Sequence, residues 1–467
     1  MRSSVLSVSN RDPVDAVVSG EAWIAVYGMG YVGRALTAAF LRRGLNVIGV
    51  DIDEGKLSDI RESRVKFFET EVREAIVKGL KTGALKLMSD AVKASRQSKI
   101  KVVTVPIHFD RNRKTVRLNA FVDALTSIGE GLSTGDLVVI ESSAPPGTTE
   151  HVAKPVLEST SGLRAEEDFL LAYSPERVYV GRALRDLEEN YPKIVAGVGP
   201  RSLDAVTRLY SLVARKGVVR LSSTTAAEFE KLAEGVYRDV VIALSNELAL
   251  VAQALGVNYY EVREATNTQP YCHLLLPGPG VGGPCIPSYP YFLMSEAVRA
   301  GVSTELTKLA RIINESMPST VAELAHKLLT KHRLKPKDVR VAVLGDAFRE
   351  DIDDPRLSPT HDVISALLSK GYRNIIVHDP LVTKDDYLSG LGVGLTNNLR
   401  EALKDSLLVI VCVRHTAYRG LKVSTIIELS GCEPLIVDAV NVLHDDVSYG
   451  VKGRLLTLGV DGLEKSP

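Results

Sequence analysis

The stretch that decides the fold is AWIAVYGMGYVGRALTAAFLRRGLNVIGVDID, residues 22–53. Its first part, IAVYG, is apolar and rich in residues that favour β-strands, and a glycine turn follows it at once. The next segment has helical periodicity through Val32, Leu36, Ala39 and Phe40, and NVIGVD then returns to a strand pattern. Strand, glycine turn, helix and strand in this order predict a βαβ unit that begins a doubly wound parallel sheet.

The turn itself has the spacing GxGxxG, from Gly28 through Gly30 to Gly33. Glycines permit a tight turn and a close approach of backbone to a pyrophosphate, whose charge the helix N-terminus favours. Asp51 closes the second strand, where a carboxylate accepts hydrogen bonds from ribose hydroxyls and repels a 2′-phosphate. The pattern therefore predicts NAD as the cofactor, and the alternative is a glycine turn in a flavodoxin-like sheet.

The rest of the chain repeats the alternation of strands and helices around one long helical segment. Apolar strand candidates follow at 100–106, 136–142 and 169–175, and again at 339–348, 374–380, 407–413 and 434–440. Between these groups, residues 224–265 keep a 3.6-residue period without proline, which predicts a helix that joins domains or forms a subunit interface. The predicted fold class is α/β, with two Rossmann-like doubly wound domains joined by a helical domain, at residues 1–215, 216–320 and 321–467. The second α/β domain lacks a GxGxxG, so no second dinucleotide is expected.

Charge and composition exclude several classes of function. Lys and Arg together number 57, as do Asp and Glu, so no basic excess indicates nucleic acid or a membrane surface as a partner. No apolar run reaches the roughly 18 residues of a membrane helix, and residues 1–20 lack the apolar core of a signal peptide. Four cysteines without metal-ligand spacing and nine scattered histidines predict neither a disulfide framework nor a metal site. A reducing, cytoplasmic location is expected.

A second glycine-rich stretch, PGPGVGGPCIP at 277–287, ends at Cys285. The exposed N–H groups of such loops bind oxyanions and phosphates, which favours a reactive thiol, whereas an isolated cysteine is more often a packed core residue. Lys231, on the long helical segment, is either functional or part of a solvated face. Glu176 and Arg177, in SPERV (174–178), are either site residues or a surface pair.

Six motifs follow one another in a fixed order along the chain. They are GMGYVG (28–33), ESSAPPGTT (141–149), SPERV (174–178), AEFEKLAEGVYRD (227–239), PGPGVGGPCIP (277–287) and GDAFREDIDDPRLSP (345–359). In this order they resemble the UDP-glucose/GDP-mannose dehydrogenase family, from about residue 22 to residue 445. SPERV and EGVYRDVVIALSNELAL resemble the branch that oxidises UDP-N-acetylhexosamines, with UDP-N-acetyl-D-mannosamine as the favoured substrate.

The resemblance implies an NAD-dependent, four-electron oxidation of a sugar C6 alcohol to a carboxylate by a homodimer. It implies that Cys285 attacks the C6 aldehyde to give a thiohemiacetal and then a thioester, that Lys231 acts as acid/base or electrostatic stabiliser, and that Glu176 positions water or substrate. The implied cofactor residues are Gly28, Gly30, Tyr31, Val32, Gly33, Asp51, Lys56, Ser143 and Arg356. The implied substrate residues are Arg177, Val178, Lys231, Arg238, Gly282, Phe348 and Arg349. The expected dimer contact is the apolar stripe of the long helix, formed by Val236, Val240, Ala243, Leu244, Leu248 and Val251.

The chain departs from the family pattern at several site positions. Gly235 stands where the family has asparagine, Tyr289 where it has an aspartate after the cysteine, and Tyr271 where an arginine is usual. These departures keep open a non-catalytic paralogue that binds sugar nucleotide and NAD. The rival enzymes are a UDP-N-acetylglucosamine or UDP-glucose 6-dehydrogenase, and a single-step hydroxyacid dehydrogenase, which has no need for Cys285 or a second α/β domain.

Overall fold

The structure is a computed structural model that describes residues 12–65, 69–110, 115–443 and 453–460. The chain divides into two compact units. The first is made of Met1–Glu234 and Tyr291–Ala300, and the second of Gly235–Pro290 and Gly301–Pro467. Each unit contains one large sheet, and the three predicted domain boundaries stay a prediction.

The first unit is an α/β structure that begins with the predicted βαβ unit. Its strands are β1 (Ile24–Tyr27), β2 (Val47–Val50), β3 (Leu85–Met88), β4 (Ile100–Val103), β5 (His108–Asp110), β6 (Thr115–Arg117), β7 (Leu137–Ile140), β8 (Leu170–Tyr173), β9 (Lys193–Gly197) and β10 (Val218–Arg220). Its helices are α1 (Pro13–Val18), α2 (Tyr31–Arg42), α3 (Glu54–Arg61), α4 (Thr70–Thr82), α5 (Ala91–Arg96), α6 (Asn119–Gly131), α7 (Lys154–Ser161), α8 (Ala183–Arg185) and α9 (Pro200–Ser211), with π-helical turns at Thr149–Ala153 and Asp186–Asn190. In the described part of the chain, eight strands form one sheet in the order β10-β9-β8-β7-β4-β1-β2-β3, and β5 pairs with β6.

This first sheet is covered on both faces, as a doubly wound sheet must be. Along β1, Ile24 and Val26 join a core with Phe40 of α2, whereas Ala25 and Tyr27 join a separate core with Phe121 of α6. Because successive side chains of a strand point to opposite faces, the continuous apolar run of β1 is buried against helices on both sides. Neighbouring strands of the sheet are parallel except β8 and β9, which are antiparallel.

The second unit holds a parallel sheet of its own. Its strands are β11 (Arg340–Leu344), β12 (Asn374–His378), β13 (Gly394–Thr396), β14 (Leu408–Val411), β15 (Leu435–Asp438) and β16 (Leu455–Thr457). Two helices, α10 (Thr224–Leu255) and α12 (Tyr289–Arg299), carry residues of both units; α11 (Tyr259–Thr266), α13 (Glu305–Lys331), α14 (Pro359–Ser369), α15 (Asp386–Gly390), α16 (Leu399–Leu403) and α17 (Val423–Ser430) belong to the second, as do short 3₁₀ turns at Pro336–Asp338 and Thr416–Tyr418. Among the residues described, the strand order is β13-β12-β11-β14-β15-β16, with every neighbouring pair parallel. The predicted fold class and all seven later strand candidates are therefore confirmed.

The long helix ends earlier than the sequence pattern predicted. Helix α10 ends at Leu255, so the prediction of one continuous helix to residue 265 is wrong, although residues 259–265 are helical as part of the separate helix α11. Gly256 has a φ of +70°, in the left-handed region that ends helices and favours glycine. The side chain of Asn258 then accepts a hydrogen bond from the Tyr260 N–H and caps α11, so a second helix begins after a short break.

Within the ranges described above, no helix combines the length and the apolar character that crossing a bilayer would require.

Candidate active site

The GxGxxG turn has the geometry of a dinucleotide cradle. A side chain at Gly33 would place its Cβ 1.9 Å from the carbonyl oxygen of Gly28, so the first turn of α2 packs directly on the strand end. Gly28 has a φ of +100°, and a Cβ there would lie 3.0 Å from Thr104 Oγ1. Gly30 caps α2 without a side-chain hydrogen bond, and the space beside it is open. The helix N-terminus is thus left accessible to an anionic group, which fits a pyrophosphate.

Asp51 lies just after β2 and is held by three donors. Its carboxylate accepts hydrogen bonds from the backbone N–H groups of Met29 at 2.9 Å and Asp53 at 3.1 Å, and from the Lys56 ammonium at 2.8 Å. The Met29 bond ties the carboxylate to the glycine turn itself. A fixed negative charge at this strand end suits ribose hydroxyls and disfavours a 2′-phosphate, so the residues present fit NAD.

Tyr31, the first residue of α2, contacts a loop of the same unit. Its hydroxyl donates to Glu69 Oε1 at 2.6 Å and accepts from the Gly181 N–H at 2.7 Å. Burial and the Glu69 carboxylate raise the pKa of this phenol. Glu69 also accepts from the N–H groups of Ala183 and Leu184 and so caps α8. Tyr31 and Glu69 therefore connect the glycine turn to the loop that follows SPERV. Two further predicted cofactor residues lie in the same unit: Val32 packs against its hydrophobic core, and Ser143 is half-buried just after β7.

Lys231 and Glu176 form a shielded ion pair. The Lys231 ammonium lies 3.2 Å from Glu176 Oε1, and the two side chains are only 9% and 13% exposed. The same ammonium donates to the main-chain carbonyl of Glu176, and Glu176 Oε2 accepts from the Val178 N–H at 2.9 Å. This geometry argues against a solvated helix face for Lys231 and against a surface pair for Glu176.

A second ion pair, fully buried, lies beneath this loop. Lys193 Nζ is 2.8 Å from Glu141 Oε2 and also donates to the carbonyl of Pro175 at 2.9 Å, next to Glu176 in sequence. The Tyr210 hydroxyl donates to the other oxygen of Glu141. Burial lowers the pKa of Lys193 and raises the pKa of Glu141. This buried ion pair was not predicted from the sequence, where its one indication is Lys193 as the first residue of the otherwise apolar strand β9.

Arg177 is engaged by carboxylates of α10. Its Nε donates to Glu234 Oε1 at 2.8 Å and lies 3.7 Å from Glu230 Oε1. Burial, and next the neighbouring Glu234 charge, raise the pKa of Glu230 to about 7. The planar guanidinium of Arg177 also lies over the Tyr191 ring, 5.1 Å from the ring centroid. Arg177 therefore fastens the SPERV loop to α10 within the first unit.

In the second unit, the loop 277–287 packs against the segment that follows β11. A Cβ on Gly282 would lie 2.7 Å from the Leu357 carbonyl oxygen and 2.8 Å from Phe348 Cβ. Gly283 has a φ of +84°, and a Cβ there would meet the Phe348 ring. Only glycine permits this approach, so two predicted substrate residues, Gly282 and Phe348, are brought together. Arg349 follows Phe348 and is half-buried.

Cys285 lies at the exit of the same loop and is half-buried. Its carbonyl accepts hydrogen bonds from the Ser288 and Tyr289 N–H groups, each at 3.0 Å, which turns the chain into α12. The Arg356 guanidinium donates two hydrogen bonds to the carboxylate of Asp354, one from Nε and one from Nη2. These bonds raise the pKa of Arg356, and the nearby Cys285 contributes to the same shift. By contrast, Cys412 is buried, which raises the pKa of that thiol to about 12.

Two of the departures from the family pattern meet in space. A Cβ on Gly235 would lie 2.5 Å from Cδ2 of the Tyr289 ring and 3.1 Å from Tyr289 Cβ. Tyr289 is buried, and Arg238 lies half-buried about one helical turn after Gly235 on α10. The tyrosine ring thus occupies the space into which an asparagine at position 235 would project, so the two substitutions depend on each other.

The predicted site residues are divided between the two units. The first holds Gly28, Gly30, Tyr31, Val32, Gly33, Asp51, Lys56, Ser143, Glu176, Arg177, Val178 and Lys231. The second holds Arg238, Gly282, Cys285, Phe348, Arg349 and Arg356. Within each unit the residues form the local contacts given above, and their roles stay predictions.

Comparison with known proteins identifies the chain's relatives. Sequence profiles of the UDP-glucose/GDP-mannose dehydrogenase family match the chain in order: the NAD binding domain over residues 22–214, the central domain over 225–316 and the UDP binding domain over 342–445. A UDP-N-acetyl-D-mannosamine dehydrogenase from Pyrococcus horikoshii is 33% identical over 90% of this chain and 96% of its own length. A UDP-N-acetyl-D-glucosamine 6-dehydrogenase from Pseudomonas aeruginosa is 30% identical over 91% of this chain and 98% of its own. A solved UDP-D-ManNAc dehydrogenase structure from Pyrococcus horikoshii superposes with a TM-score of 0.85 at 30% identity, over 94% of this chain and 99% of that one.

Proposed function

Since the chain belongs to the UDP-glucose/GDP-mannose dehydrogenase family and is an NAD-dependent UDP-sugar dehydrogenase, we propose that it oxidises UDP-N-acetyl-D-mannosamine at C6 to the uronate. The observation that carries the choice of sugar is the similarity over nine-tenths of the chain to a relative with that activity, at 33% identity. The second candidate is UDP-N-acetyl-D-glucosamine, which a relative at 30% identity oxidises.

The chemistry requires two oxidations at one carbon. NAD accepts one hydride in each, so a –CH₂OH group, two NAD⁺ and one water give –COO⁻, two NADH and three protons. The protein must then hold the aldehyde level between the two steps and move protons to and from the C6 oxygen. The chain offers a thiol for the first task and an ammonium–carboxylate pair for the second.

Cys285 is proposed as the nucleophile. Its thiolate adds to the aldehyde carbon, forming a C–S bond, and the C6 oxygen takes up a proton to give a thiohemiacetal. Loss of hydride from this carbon and of the hydroxyl proton leaves a thioester on Cys285. Water then attacks the carbonyl and breaks the C–S bond, which releases the carboxylate and restores the thiol. The half-buried position at the loop exit supports this role.

Lys231 and Glu176 are proposed to act at the C6 oxygen and at the attacking water. The 3.2 Å contact with the Glu176 carboxylate orients the lysine, while the main-chain carbonyl of Glu176 fixes the ammonium from a second side. An ammonium in this position stabilises negative charge that develops on the C6 oxygen. The buried Lys193–Glu141 pair supports the loop from below, because Lys193 bonds the carbonyl next to Glu176.

A homodimer in the reducing cytoplasm completes the proposal. Four exposed apolar side chains follow one another along α10, at Tyr237, Leu244, Val251 and Leu255. A row of exposed apolar side chains on one helix supports the proposal that this helix contacts a second chain. The four cysteines are all thiols, which agrees with a reducing compartment.

The test is NADH formation from a panel of sugar nucleotides. We expect the highest kcat/KM with UDP-N-acetyl-D-mannosamine and two NADH per sugar consumed, with UDP-N-acetyl-D-glucosamine and UDP-glucose as competitors in the panel. A preference for either competitor would change the substrate assignment but not the reaction. Saturable binding of a UDP-sugar without NADH formation would instead favour the non-catalytic paralogue.

A further inference from the structure

Three buried polar side chains converge at one edge of the second sheet, outside the site described above. Asp346 follows β11, His361 lies in the first turn of α14, and Asp385 caps α15 after β12. His361 Nε2 is 2.6 Å from Asp385 Oδ2 and 3.3 Å from Asp346 Oδ1. One ligand atom from each residue lies within 4.8 Å of the other two. The parallel sheet explains the convergence, because the carboxyl ends of its strands meet at this edge.

Asp346 differs from two other buried aspartates of this sheet, Asp379 and Asp438, in its hydrogen bonding. Its side chain is 0% exposed, and neither of its oxygens accepts a hydrogen bond. The neighbouring Asp379 accepts the N–H groups of Asp346, Ala347, Leu381 and Val382. Asp438, at the end of β15, accepts those of Val440, Val442 and Leu443. Burying a carboxylate that accepts no hydrogen bond costs free energy of folding unless a positively charged group faces it.

His361 cannot satisfy both carboxylates. Nε2 carries at most one proton, and the shorter 2.6 Å contact directs it to Asp385. Asp346 is then left with a charge contact at 3.3 Å and no hydrogen bond. The ring of Tyr387 stacks on the imidazole, with centroids 4.4 Å apart and planes at 15°, and so fixes the direction in which Nε2 points. The unpartnered carboxylate, the oriented imidazole and the second carboxylate therefore each bring one ligand atom to within 4.8 Å of the other two.

We propose that Asp346, His361 and Asp385 bind a divalent first-row transition-metal cation. Two carboxylate oxygens and one imidazole nitrogen form a donor set that suits Mn²⁺ or Zn²⁺, and the paired negative charges match a dication. Ligand atoms about 2.1 Å from a metal lie about 3 Å apart, which the 3.3 Å contact of Asp346 and His361 already provides. The 2.6 Å contact of His361 and Asp385 must open slightly as the cation replaces the shared proton.

The cation would fasten three segments of the second unit: the one after β11, the first turn of α14 and the start of α15. The segment that starts at Asp346 continues into Phe348 and Arg349, so the metal fixes the base of this loop, independently of what the loop binds. The sequence concealed the site because the three ligands lie 15 and 24 residues apart and none belongs to a motif with ligand spacing.

The experiment is a titration of the full-length, chelator-treated protein with MnCl₂, followed by calorimetry and by metal analysis after gel filtration. Mn²⁺ is the first probe because soft thiolates such as that of Cys285 compete poorly for it. We expect one Mn²⁺ per chain, bound saturably at micromolar concentration, and a rise in melting temperature that a chelator reverses. Zn²⁺ in place of Mn²⁺ should give the same site.

Two variants and one matched control identify the ligands. Asp346→Asn should abolish Mn²⁺ binding, and Asp385→Asn should do so while it keeps a helix-capping side chain at α15. The control is Asp386→Asn, an exposed neighbour, which should bind Mn²⁺ like the unmodified protein. If the unmodified protein binds neither Mn²⁺ nor Zn²⁺ saturably, or if both variants bind Mn²⁺ as well as the control does, the proposal is wrong and the cluster is an ion triad. If a variant fails to fold, the Mn²⁺ titration of the unmodified protein still tests the proposal.

Discussion

At the scale of single residues, the proposed nucleophile makes the most direct prediction. Cys285→Ser should retain the first hydride transfer and lose the second, because a serine hydroxyl forms and releases the covalent adduct poorly. The yield should fall from two NADH per sugar toward one, and a carbonyl-trapping reagent should capture aldehyde. Cys432→Ser, at another half-buried thiol, is the matched control and should behave like the parent. Two NADH per sugar at the parental rate in Cys285→Ser would show that the cysteine only packs.

Gly235 allows a prediction in which two effects have opposite signs. Alanine is better than glycine inside a helix by about 1 kcal/mol, so propensity alone predicts that Gly235→Ala stabilises the protein. The 2.5 Å approach to the Tyr289 ring predicts the reverse, since overpacking typically costs about 1–3 kcal/mol. We expect the clash to dominate and the free energy of unfolding to fall, as measured by denaturant unfolding.

The control for Gly235→Ala is the same change in a Tyr289→Ala background. Without the ring, the added methyl keeps only the 3.1 Å contact with Cβ of position 289, so Gly235→Ala should destabilise less than in the parent protein. Equal effects of Gly235→Ala in both backgrounds would show that the tyrosine does not constrain position 235.

Asp51 makes a prediction about cofactor choice. The unmodified protein should strongly prefer NAD, because a 2′-phosphate would face a carboxylate that Met29 and Asp53 hold in place. In the unmodified protein the Lys56 ammonium lies 2.8 Å from Asp51 Oδ2. Asp51→Asn removes the negative charge, so the ammonium becomes available to bind the 2′-phosphate. We expect the ratio of NADP to NAD affinity to rise at least about tenfold, or about 1.4 kcal/mol, in equilibrium binding. Comparable affinities for both dinucleotides before mutation would contradict the interpretation.

The sequence predicted some site residues well and others not at all. Gly28, Gly33 and Asp51 could be predicted because a short spacing on one βαβ unit fixes their neighbours. Lys193 and Glu141 could not, because they are 52 residues apart, at the start of β9 and just after the end of β7, and their pairing depends on the strand order of the sheet. The same holds for the place that Tyr289 takes beside Gly235.

At the scale of elements, one buried carboxylate ties α10 to the loop after β7. Glu228 is fully buried, and it accepts hydrogen bonds from the Gly147 N–H at 2.5 Å, the Thr149 N–H at 2.7 Å and Thr149 Oγ1 at 2.6 Å. Burial raises the pKa of Glu228 from 4.5 to about 7, although these donors oppose the shift. The start of the long helix is thereby held to the loop that carries Ser143.

This raised pKa predicts how stability depends on pH. Between pH 4.5 and 7 the folded chain holds a proton on Glu228 that the unfolded chain has lost, so the free energy of unfolding falls as pH rises through this window. The group should account for a loss of about 3 kcal/mol across it. In Glu228→Gln this part of the slope should disappear, while overall stability drops because the amide meets the Gly147 N–H donor. Denaturant unfolding at several pH values measures both, with exposed Glu247→Gln on the same helix as control; identical slopes in all three proteins would rule the shift out.

The elements themselves were largely predictable, and the exceptions have physical causes. Strands buried on both faces, such as β1 and β7, have continuous apolar sequences that need no context. The edge strands β10 and β13 are short and partly exposed, so their pattern is weak. The break of the long helix at Gly256 was visible as a weak point in the sequence, but the periodicity shows neither the φ of +70° at Gly256 nor the Asn258 cap that follows it.

At the scale of the whole molecule, the α10 surface is the feature that a single chain does not explain. Tyr237, Val241, Leu244, Leu248, Val251 and Leu255 follow one another at alternating spacings of four and three residues. This is the heptad spacing of helices that pack side by side. The predicted stripe overlaps it at Leu244, Leu248 and Val251, whereas its Ala243 is buried within the chain. Leu244 and Val251 remain 44% and 48% exposed, which a partner helix would cover.

This apolar row on α10, here called the seam, predicts that two chains associate, and it indicates which substitution should prevent the association. Light scattering at micromolar concentration should give the mass of two chains, because covering a row of exposed apolar side chains removes them from water. Leu244→Glu places a charge at the centre of the seam, where its desolvation opposes association, and should give the mass of one chain with an unchanged helical circular dichroism spectrum. Val18→Glu, which introduces the same charge at an exposed valine of α1, is the matched control and should remain a dimer. A monomeric parent protein would refute the homodimer, and a dimeric Leu244→Glu would move the contact away from α10.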